Sequence, residues 1–443
     1  MVKASVSVAA VCLCIVGASS GICMEWRSIP GMGTRGLPTM VVDTADRSIV
    51  MFGGSNGTEY HSDVWELLLD TLEGYSWLPV RTGGTLPPGR SGHTAIYDPV
   101  GHQMVIFAGR AASGKVADVW SFNLATDAWQ QLSPSGVPPG PRAWHTAAYC
   151  PTRHSMVVVD GRSDVAPYDE VYELLLDSMK WRLVSVGGSH PTPRWGHAME
   201  YDPTSNRMIV FGGENAGGVQ MNDVWALDLA PGSETWTELS TSGQPPSLRA
   251  AMASCFDAEA RKFFIFGGSY YPGYFIFYND LHVLDLGSLL WTELYPSGSL
   301  PTERRCAAGA YDFSNRNFVV FAGQSYYDWE NDTYYVGTGS PGASEWQPAT
   351  PKFDTPSLFV PSVASCPVRL RYFLSGPGEV KVRVIDVAGR VVRQLLDGKV
   401  EGQTGWLEWD GTTDSRERAP AGTYVGYLEA AGRGAGRRFT LAE

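Results

Sequence analysis

The chain has 443 residues, of which 50 are glycine and 29 are proline; 12% are aromatic and only 18% are charged. This composition is typical of many short strands joined by tight turns, and it excludes an intrinsically disordered chain. The formal net charge of −12 at pH 7 argues against a nucleic-acid-binding protein, which needs a basic surface. The length leaves room for two or three domains.

The first residues in chain order have the layout of a secretory signal peptide. One lysine precedes an apolar run over residues 6–17, which is too short to span a bilayer, and small residues follow. We expect residues 1–20 to be the signal peptide, with cleavage after Ser20, and the protein to be secreted, extracellular, on the cell surface or periplasmic. A lipoprotein signal with lipidated Cys23 is the alternative, although Ile22 is bulky for such a site. We find no other candidate for a transmembrane segment.

Four markers recur together six times after this segment, and each copy is 52 or 55 residues from the next. The first marker is an arginine: Arg35, Arg90, Arg142, Arg194, Arg249 and Arg304. The second is a pair, usually of small residues, that closes an apolar strand: 53–54, 108–109, 160–161, 212–213, 267–268 and 322–323. The third is an acidic residue: Asp63, Asp118, Glu170, Asp223, Asp280 and Asp332. The fourth is a tryptophan: Trp77, Trp129, Trp181, Trp236, Trp291 and Trp346.

Each copy predicts four strands, a to d, in a unit of about 50 residues. Such a small sheet cannot bury both of its faces unless neighbouring sheets stack on it, so the unit is a propeller blade. The glycine pair on strand b, the aromatic on strand c and the tryptophan on strand d resemble the kelch repeat over about residues 24–350. The resemblance implies an all-β fold with a six-bladed kelch-type β-propeller, and we expect each tryptophan to fill the gap between two blades.

The closing strand of the ring is left open by the sequence. Trp26 lies 51 residues before Trp77, in register with a strand d, while the sixth copy already has Trp346. The N-terminal strand therefore either closes the last blade or adds a fifth strand to it.

The repeat stops after Trp346. Residues 351–365 are rich in proline and serine, which predicts a linker, and residues 366–443 contain alternating segments typical of a small β-sandwich. The sequences VRLRYFL, VKVRVIDVAGRVVRQLL and AGTYVGYLEA resemble the immunoglobulin-like C-terminal domain of flagellar hook-capping proteins, and are close in pattern to C-terminal sorting domains. This resemblance implies a bacterial, exported protein and a module for attachment or sorting.

Two b–c loops carry a cluster of aromatic residues, at 269–279 in the fifth copy and 324–331 in the sixth. Strand alternation places both loops on the face that also carries the d–a connections. Clustered exposed aromatics indicate recognition of a protein or a sugar, although they could instead pack on each other or on the C-terminal domain. The candidate binding residues are Tyr270, Tyr271, Tyr274, Tyr326, Tyr327 and Trp329, together with the six repeat arginines.

The repeat arginines also have a structural interpretation. Each copy provides an acidic residue on the same face, so pairing within or between blades would hold the fold together. His93, His145 and His197 follow their arginines by three residues. We interpret them as hydrogen-bonding within their blades rather than as metal ligands. The scattered cysteines predict buried free thiols.

These features favour a binding scaffold, with a protein or a glycan as partner and no nucleic acid. We predict no cofactor, no metal and no catalytic residue. The alternatives are a sugar-acting enzyme resembling the mutarotases or galactose oxidase built on kelch propellers, or a purely structural surface protein. A carboxylate with a raised pKa beside an unpaired arginine would favour the enzyme.

Overall fold

The computed structural model describes residues 24–29, 31–69, 75–338, 357–360, 363–364, 368–374, 377–400 and 404–441. The predicted signal peptide, Cys23, Trp346 and Cys366 lie outside these residues. All regular structure described is β: six blade sheets, a separate two-stranded sheet in the b–c loop of blade five, and two sheets of the C-terminal region. Among the residues described, no helix has the length and apolar character needed to cross a membrane.

Each blade is an antiparallel sheet in the order a-b-c-d, and the a strands of neighbouring blades contact one another around the axis. Blades one and two have the strands Thr39–Asp43, Ser48–Phe52, Val64–Leu68 and Ser76–Val80, then Thr94–Asp98, Gln103–Ala111, Gly114–Asn123 and Ala128–Leu132. Blades three and four have Thr146–Cys150, Ser155–Val159, Val171–Leu175 and Lys180–Leu183, then Ala198–Asp202, Arg207–Asn215, Gln220–Asp228 and Thr235–Glu238. Blade five has Ala253–Asp257, Lys262–Phe266, Leu281–Asp285 and Leu290–Leu294.

The N-terminal strand closes the ring. Blade six takes its a, b and c strands from Ala308–Asp312, Asn317–Phe321 and Thr333–Gly337, and strand d is Glu25–Ile29. Trp26 pairs directly with Val336, in antiparallel register. The N-terminal strand therefore occupies the d position itself and is not an additional fifth strand.

A short extra strand links each of blades one to five to the blade that follows it. Two residues beyond each strand d run parallel to the d strand of the following blade: Gly83–Gly84, Ser135–Gly136, Gly187–Gly188, Ser242–Gly243 and Ser297–Gly298. The last of these, from blade five, pairs with the N-terminal strand. Further two-residue strands are Arg90–Ser91, Arg194–Trp195, Ser269–Tyr270 and Ile276–Phe277.

The blade tryptophans lie between blades, as predicted. Trp129 packs 4.8 Å from Phe52, the last residue of strand b in the preceding blade. Trp26 lies in the same way 5.1 Å from Phe266. Each hydrophobic cluster of the propeller accordingly draws its side chains from adjacent blades. Burying a large aromatic ring at every junction supplies the free energy that holds the blades together.

The C-terminal region forms two sheets around one core. The strands are Ser357–Phe359, Val363–Ala364, Val368–Phe373, Gly378–Asp386, Val391–Val400, Thr404–Trp409, Gly422–Ala430 and Arg433–Leu441. Trp409, Leu370 and Val382 are fully buried between the sheets. The first two strands lie inside the predicted linker of residues 351–365, and Leu358 and Val360 of that stretch are buried in this core. The likeness to hook-capping and sorting domains stays a prediction.

Candidate ligand-binding face

The six repeat arginines are buried and paired. Each one donates to the backbone carbonyl of the first residue of the repeat pair on strand b, and to the acidic residue that is the third repeat marker of its own blade. The pairs are Arg35–Asp63, Arg90–Asp118, Arg142–Glu170, Arg194–Asp223, Arg249–Asp280 and Arg304–Asp332. The arginine side chains are at most 3% exposed. The predicted pairing is confirmed and lies within blades.

The Arg194–Asp223 pair shows how a buried carboxylate of these pairs is kept ionised. Its two terminal nitrogens lie 2.7 and 2.9 Å from the carboxylate oxygens of Asp223, a bidentate arrangement. Burial opposes ionisation of Asp223, but the hydrogen bonds and charge of Arg194 outweigh it and lower the pKa of the carboxyl. The arginines therefore tie strand a to strands b and c, and this geometry gives no support to their predicted role as ligand-binding groups.

A closed ring of backbone hydrogen bonds surrounds the axis. The residue two positions after each arginine has a left-handed backbone, with φ between 55° and 61°. Its N–H donates to the carbonyl of the equivalent residue one blade earlier, over 2.7–3.1 Å. The residues are Leu37, Gly92, Trp144, Gly196, Ala251 and Cys306, and Leu37 donates to Cys306 to complete the circle. All six blades are thus joined at the hub.

A cavity of about 110 Å³ opens at the centre of this ring. One side is lined by His93, His145, His197 and Trp144, and the other by apolar residues that include Met252. Burial lowers the pKa of His93 and His145 well below the usual value, and lowers that of His197 to about 3, with the adjacent arginine adding to the effect. The histidines are therefore neutral at physiological pH.

The three histidines join neighbouring blades. Nε2 of His145 lies 2.8 Å from the Thr94 hydroxyl of the preceding blade, and His197 makes the same contact with Thr146 over 2.6 Å. The predicted hydrogen bonding within each blade is therefore wrong. The a strands lie so close together around the axis that each imidazole contacts the sheet of the preceding blade.

The aromatic loops of blades five and six form an exposed cluster. The Tyr326 ring stacks on Phe277 at 4.4 Å, and its hydroxyl accepts a hydrogen bond from the Phe277 N–H. Tyr271 and Phe275 continue the row at 4.8 Å. Phe277 is buried at the base of this row, and five other rings of the two loops are open to solvent. The exposed fractions are 47% for Tyr271, 67% for Tyr274, 43% for Phe275, 50% for Tyr326 and 97% for Tyr327.

Two of the predicted aromatic residues lie differently. Tyr270 is half-buried in the short strand pair of its loop. The Trp329 ring covers Gly36 and Gly57 of blade one, where a Cβ atom would come within 2.2 and 2.9 Å of it. Trp329 therefore packs across the junction between blades six and one, and the exposed surface consists of the other rings.

Two further arginines at the rim were not singled out by the sequence. Arg162 contacts Trp195, with its guanidinium carbon 4.5 Å from the ring centre, and Arg305 contacts Phe275 at 4.2 Å. Neither forms an ion pair within the described part of the chain. Comparing the repeats position by position would have found Arg305, because the other five copies have a neutral residue there, but not Arg162, whose position is also charged at Arg110 and Glu214.

Two carboxyl groups have a strongly raised pKa. Burial raises the pKa of Asp160 to about 8 and that of Glu200 to about 7. Both could hold a proton near neutral pH, as a general acid must. However, the arginine that acts on Asp160 is Arg194, which is already paired with Asp223, and Glu200 accepts its hydrogen bond from Ser254. The combination that would favour an enzyme is therefore not found among the described contacts.

On the opposite face, where the a–b turns lie, three side chains of the kind that bind metal ions lie close together. It consists of Asp43, Asp46 and His102. The groups already satisfy one another: His102 lies 3.1 Å from Asp43, and Arg437 of the C-terminal region lies 2.6 Å from Asp46. This face of blade one is therefore where the C-terminal region contacts the propeller. Cys150, Cys255 and Cys306 are free thiols.

Comparison with protein families gives a match to the KLHDC2/KLHL20/DRC7 Kelch-repeats domain over residues 23–164 and 145–366. Among curated proteins, the chain is 31% identical over 239 residues to Adagio-like protein 3 of Oryza sativa subsp. japonica. It is 28% identical over 251 residues to Acyl-CoA-binding domain-containing protein 5 of Arabidopsis thaliana. These alignments cover 52% and 54% of this chain, but only 36% and 37% of those proteins.

Among solved structures, the chain is similar to YjhT, with a TM-score of 0.52 and 14% sequence identity. The match covers 70% of this chain and 94% of that one. At this identity the likeness concerns the fold, since folds host many functions.

Proposed function

We propose that this chain, which belongs to the kelch-repeat family, is a binding scaffold that recognises a protein partner through the aromatic loops of blades five and six. The main support for this proposal is the cluster of five exposed aromatic rings on adjacent loops. Exposing so much aromatic surface is unfavourable in water, and rings that share a stacked, partly buried base lose little conformational entropy on binding. We also propose that the protein is exported.

The position of the C-terminal region supports this proposal. Arg437 contacts Asp46 in an a–b turn, whereas the aromatic rings lie on b–c loops at the other end of the blades. The C-terminal region therefore contacts the face away from the aromatic loops. An attachment or sorting role for this region would leave the aromatic loops free to meet a partner.

The test is a selection of phage-displayed peptides on the full chain, followed by affinity measurements on a variant. The Tyr271→Ala/Tyr274→Ala/Tyr327→Ala variant removes three exposed rings. Tyr295→Ala is the matched control, because Tyr295 is 78% exposed but lies outside the cluster. We expect the selected peptides to bind the triple variant at least about tenfold more weakly and the control unchanged, since each lost ring removes buried apolar area.

Equal peptide binding by the triple variant and the full chain would contradict the proposal. A glycan array probed with the same three proteins tests the other partner class. Specific glycan binding that depends on the same rings, without peptide binding, would replace the protein partner by a carbohydrate. Thermal unfolding of each variant shows that it is folded.

A further inference from the structure

Two buried carboxylates at the junction of blades three and four are paired with two arginines. The side chain of Glu173, on strand c of blade three, is fully buried, and that of Glu234 in blade four is 3% exposed. Arg153 of the a–b turn lies 3.3 Å from Glu173 and 3.0 Å from Glu234. Arg182 of strand d contacts the same two carboxylates. The charges at this junction are therefore balanced within the propeller.

The junction of blades one and two has the same acidic positions but not the two arginines. Glu66 occupies the strand c position of Glu173, in the sequences VWELL and VYELL. Asp127 precedes the strand d tryptophan of its blade by two residues, as the acidic residue of blade four does. The two arginine positions of blade three carry Asp46 and Leu78 in blade one. Blade one therefore adds a negative charge at the place where blade three has a positive one.

Arg437 of the C-terminal region enters this junction. It lies 2.6 Å from Asp46, and among the described residues it is the one basic group that lines a cavity of about 60 Å³ between the two blades. Val360, a core residue of the C-terminal region, lines the same cavity. The carboxylates that line it are those of Asp43, Asp46, Glu66 and Asp127. The C-terminal region therefore places an arginine where blade one has none of its own.

The charges around this cavity act on one another with reduced access to water. Burial lowers the pKa of Arg437, but the negative charges around it, that of Asp46 above all, outweigh burial and raise the pKa. Burial also raises the pKa of Glu66, and the charge of Arg437 opposes that increase. Without Arg437, the carboxylates would lose a positive charge that offsets their desolvation.

We propose that the junction of blades one and two is a docking site for the C-terminal region, which Arg437 holds in place by supplying the positive charge that blade three has within itself. A guanidinium suits this site because its five N–H groups can donate to more than one carboxylate. Docking and the stability of the propeller are then coupled, because unpaired carboxylates are costly where water is scarce. This docking is independent of the partner binding proposed for the aromatic loops, which lie at the other end of the blades.

The test compares the full chain with an Arg437→Gln variant by small-angle X-ray scattering. We expect the variant to have a larger radius of gyration, because the C-terminal region is released from the propeller. Arg390→Gln is the matched control, since Arg390 is an 81% exposed arginine of the same region that pairs with Asp386 and lies outside the residues that line the cavity. The control should have the radius of gyration of the full chain. Thermal unfolding shows that each variant is folded.

A second pair of variants separates charge from packing. Asp46→Arg gives blade one the a–b turn arginine of blade three, so it should repel Arg437 and pair with Glu66 from within the propeller. We expect it to release the C-terminal region as Arg437→Gln does, but with a smaller decrease in the midpoint of thermal unfolding of the propeller. Asp46→Arg/Arg437→Asp restores opposite charges at the contact, and its radius of gyration should return towards that of the full chain.

Three outcomes would overturn the proposal. The first is an unchanged radius of gyration in Arg437→Gln. The second is a release that the charge-swapped variant does not reverse, because Arg437 would then act through the fold of the C-terminal region. The third is an equal decrease in the unfolding midpoint in Arg437→Gln and Asp46→Arg, because a positive charge at this junction would then not stabilise blade one.

Discussion

The backbone N–H of Leu37 donates a 2.7 Å hydrogen bond to the carbonyl of Cys306, and this bond joins the first blade to the sixth. Leu37 adopts φ 55° to do so, a conformation that costs a branched side chain free energy. Five equivalent bonds complete the hub, so every blade is held at the axis by its predecessor. Closure at the outer edge depends instead on the N-terminal strand, because Trp26 pairs with Val336.

Replacing Trp26 by alanine should open this outer closure. The ring is 1% exposed, so its loss should lower the free energy of unfolding by about 3–5 kcal/mol, as for other buried aromatics. Urea unfolding measures the change. Trp291→Ala is the matched control, because Trp291 packs in the same way at the junction between blades four and five. A Trp26→Ala change of under about 1 kcal/mol, beside a large Trp291→Ala change, would show that another segment closes the ring.

Replacing Arg194 by methionine should leave the Asp223 carboxylate without its partner. Breaking a buried ion pair from one side costs about 3–5 kcal/mol, because the remaining charge is desolvated. Chemical denaturation of the variant checks this value. Arg316→Met serves as control and should change stability by no more than about 0.5 kcal/mol, since Arg316 is half-exposed and its partner Glu259 faces solvent.

The channel histidines should make the protein less stable in mild acid. The folded pKa of His197 is about 3, mainly because of burial, and the unfolded value is near 6.5. As pH falls below about 6.5, His197 binds a proton in the unfolded chain but not in the folded chain. The free energy of unfolding therefore decreases steadily from about pH 6.5 down to the folded pKa. His197→Met, which copies Met252 in blade five, should flatten the fall in unfolding free energy between about pH 6.5 and 4.5. An unchanged slope would show that this imidazole does not titrate in the unfolding equilibrium.

Replacing Asp160 by asparagine should stabilise the protein at alkaline pH. Its folded pKa is raised to about 8 by burial, so the folded chain keeps a proton that the unfolded chain loses above about pH 4. The contribution of this carboxyl is therefore present at low pH and lost as pH rises through the folded pKa. We expect Asp160→Asn to raise the free energy of unfolding by about 1–3 kcal/mol at pH 8 and by much less at pH 4. A gain that is equal at both pH values would point to packing rather than ionisation. Asparagine tolerates the left-handed backbone at this position, where φ is 52°.

The repeats determined the blade count, the four strands of blades one to five and the pairing of the repeat arginines with carboxylates, but not that the pairs lie within blades. These features are local, because Arg194 and Asp223 belong to one small sheet and the same pair recurs in all six copies at a separation of 28 to 31 residues. The tryptophans were also predictable, since a ring of their size on an outer strand has no cover except the next blade.

Relations between blades were decided by the tertiary structure. The sequence left the role of the N-terminal strand open, placed the histidine contacts in the wrong sheet and treated Trp329 as part of the exposed cluster. Each of these depends on which side chains meet across a junction, and that distance is set by how six sheets close around an axis rather than by spacing along the chain. The surroundings of Arg162 and Arg305 also depend on how the blades pack. A sequence shows that an arginine is present, but only the packed ring shows whether a carboxylate reaches it.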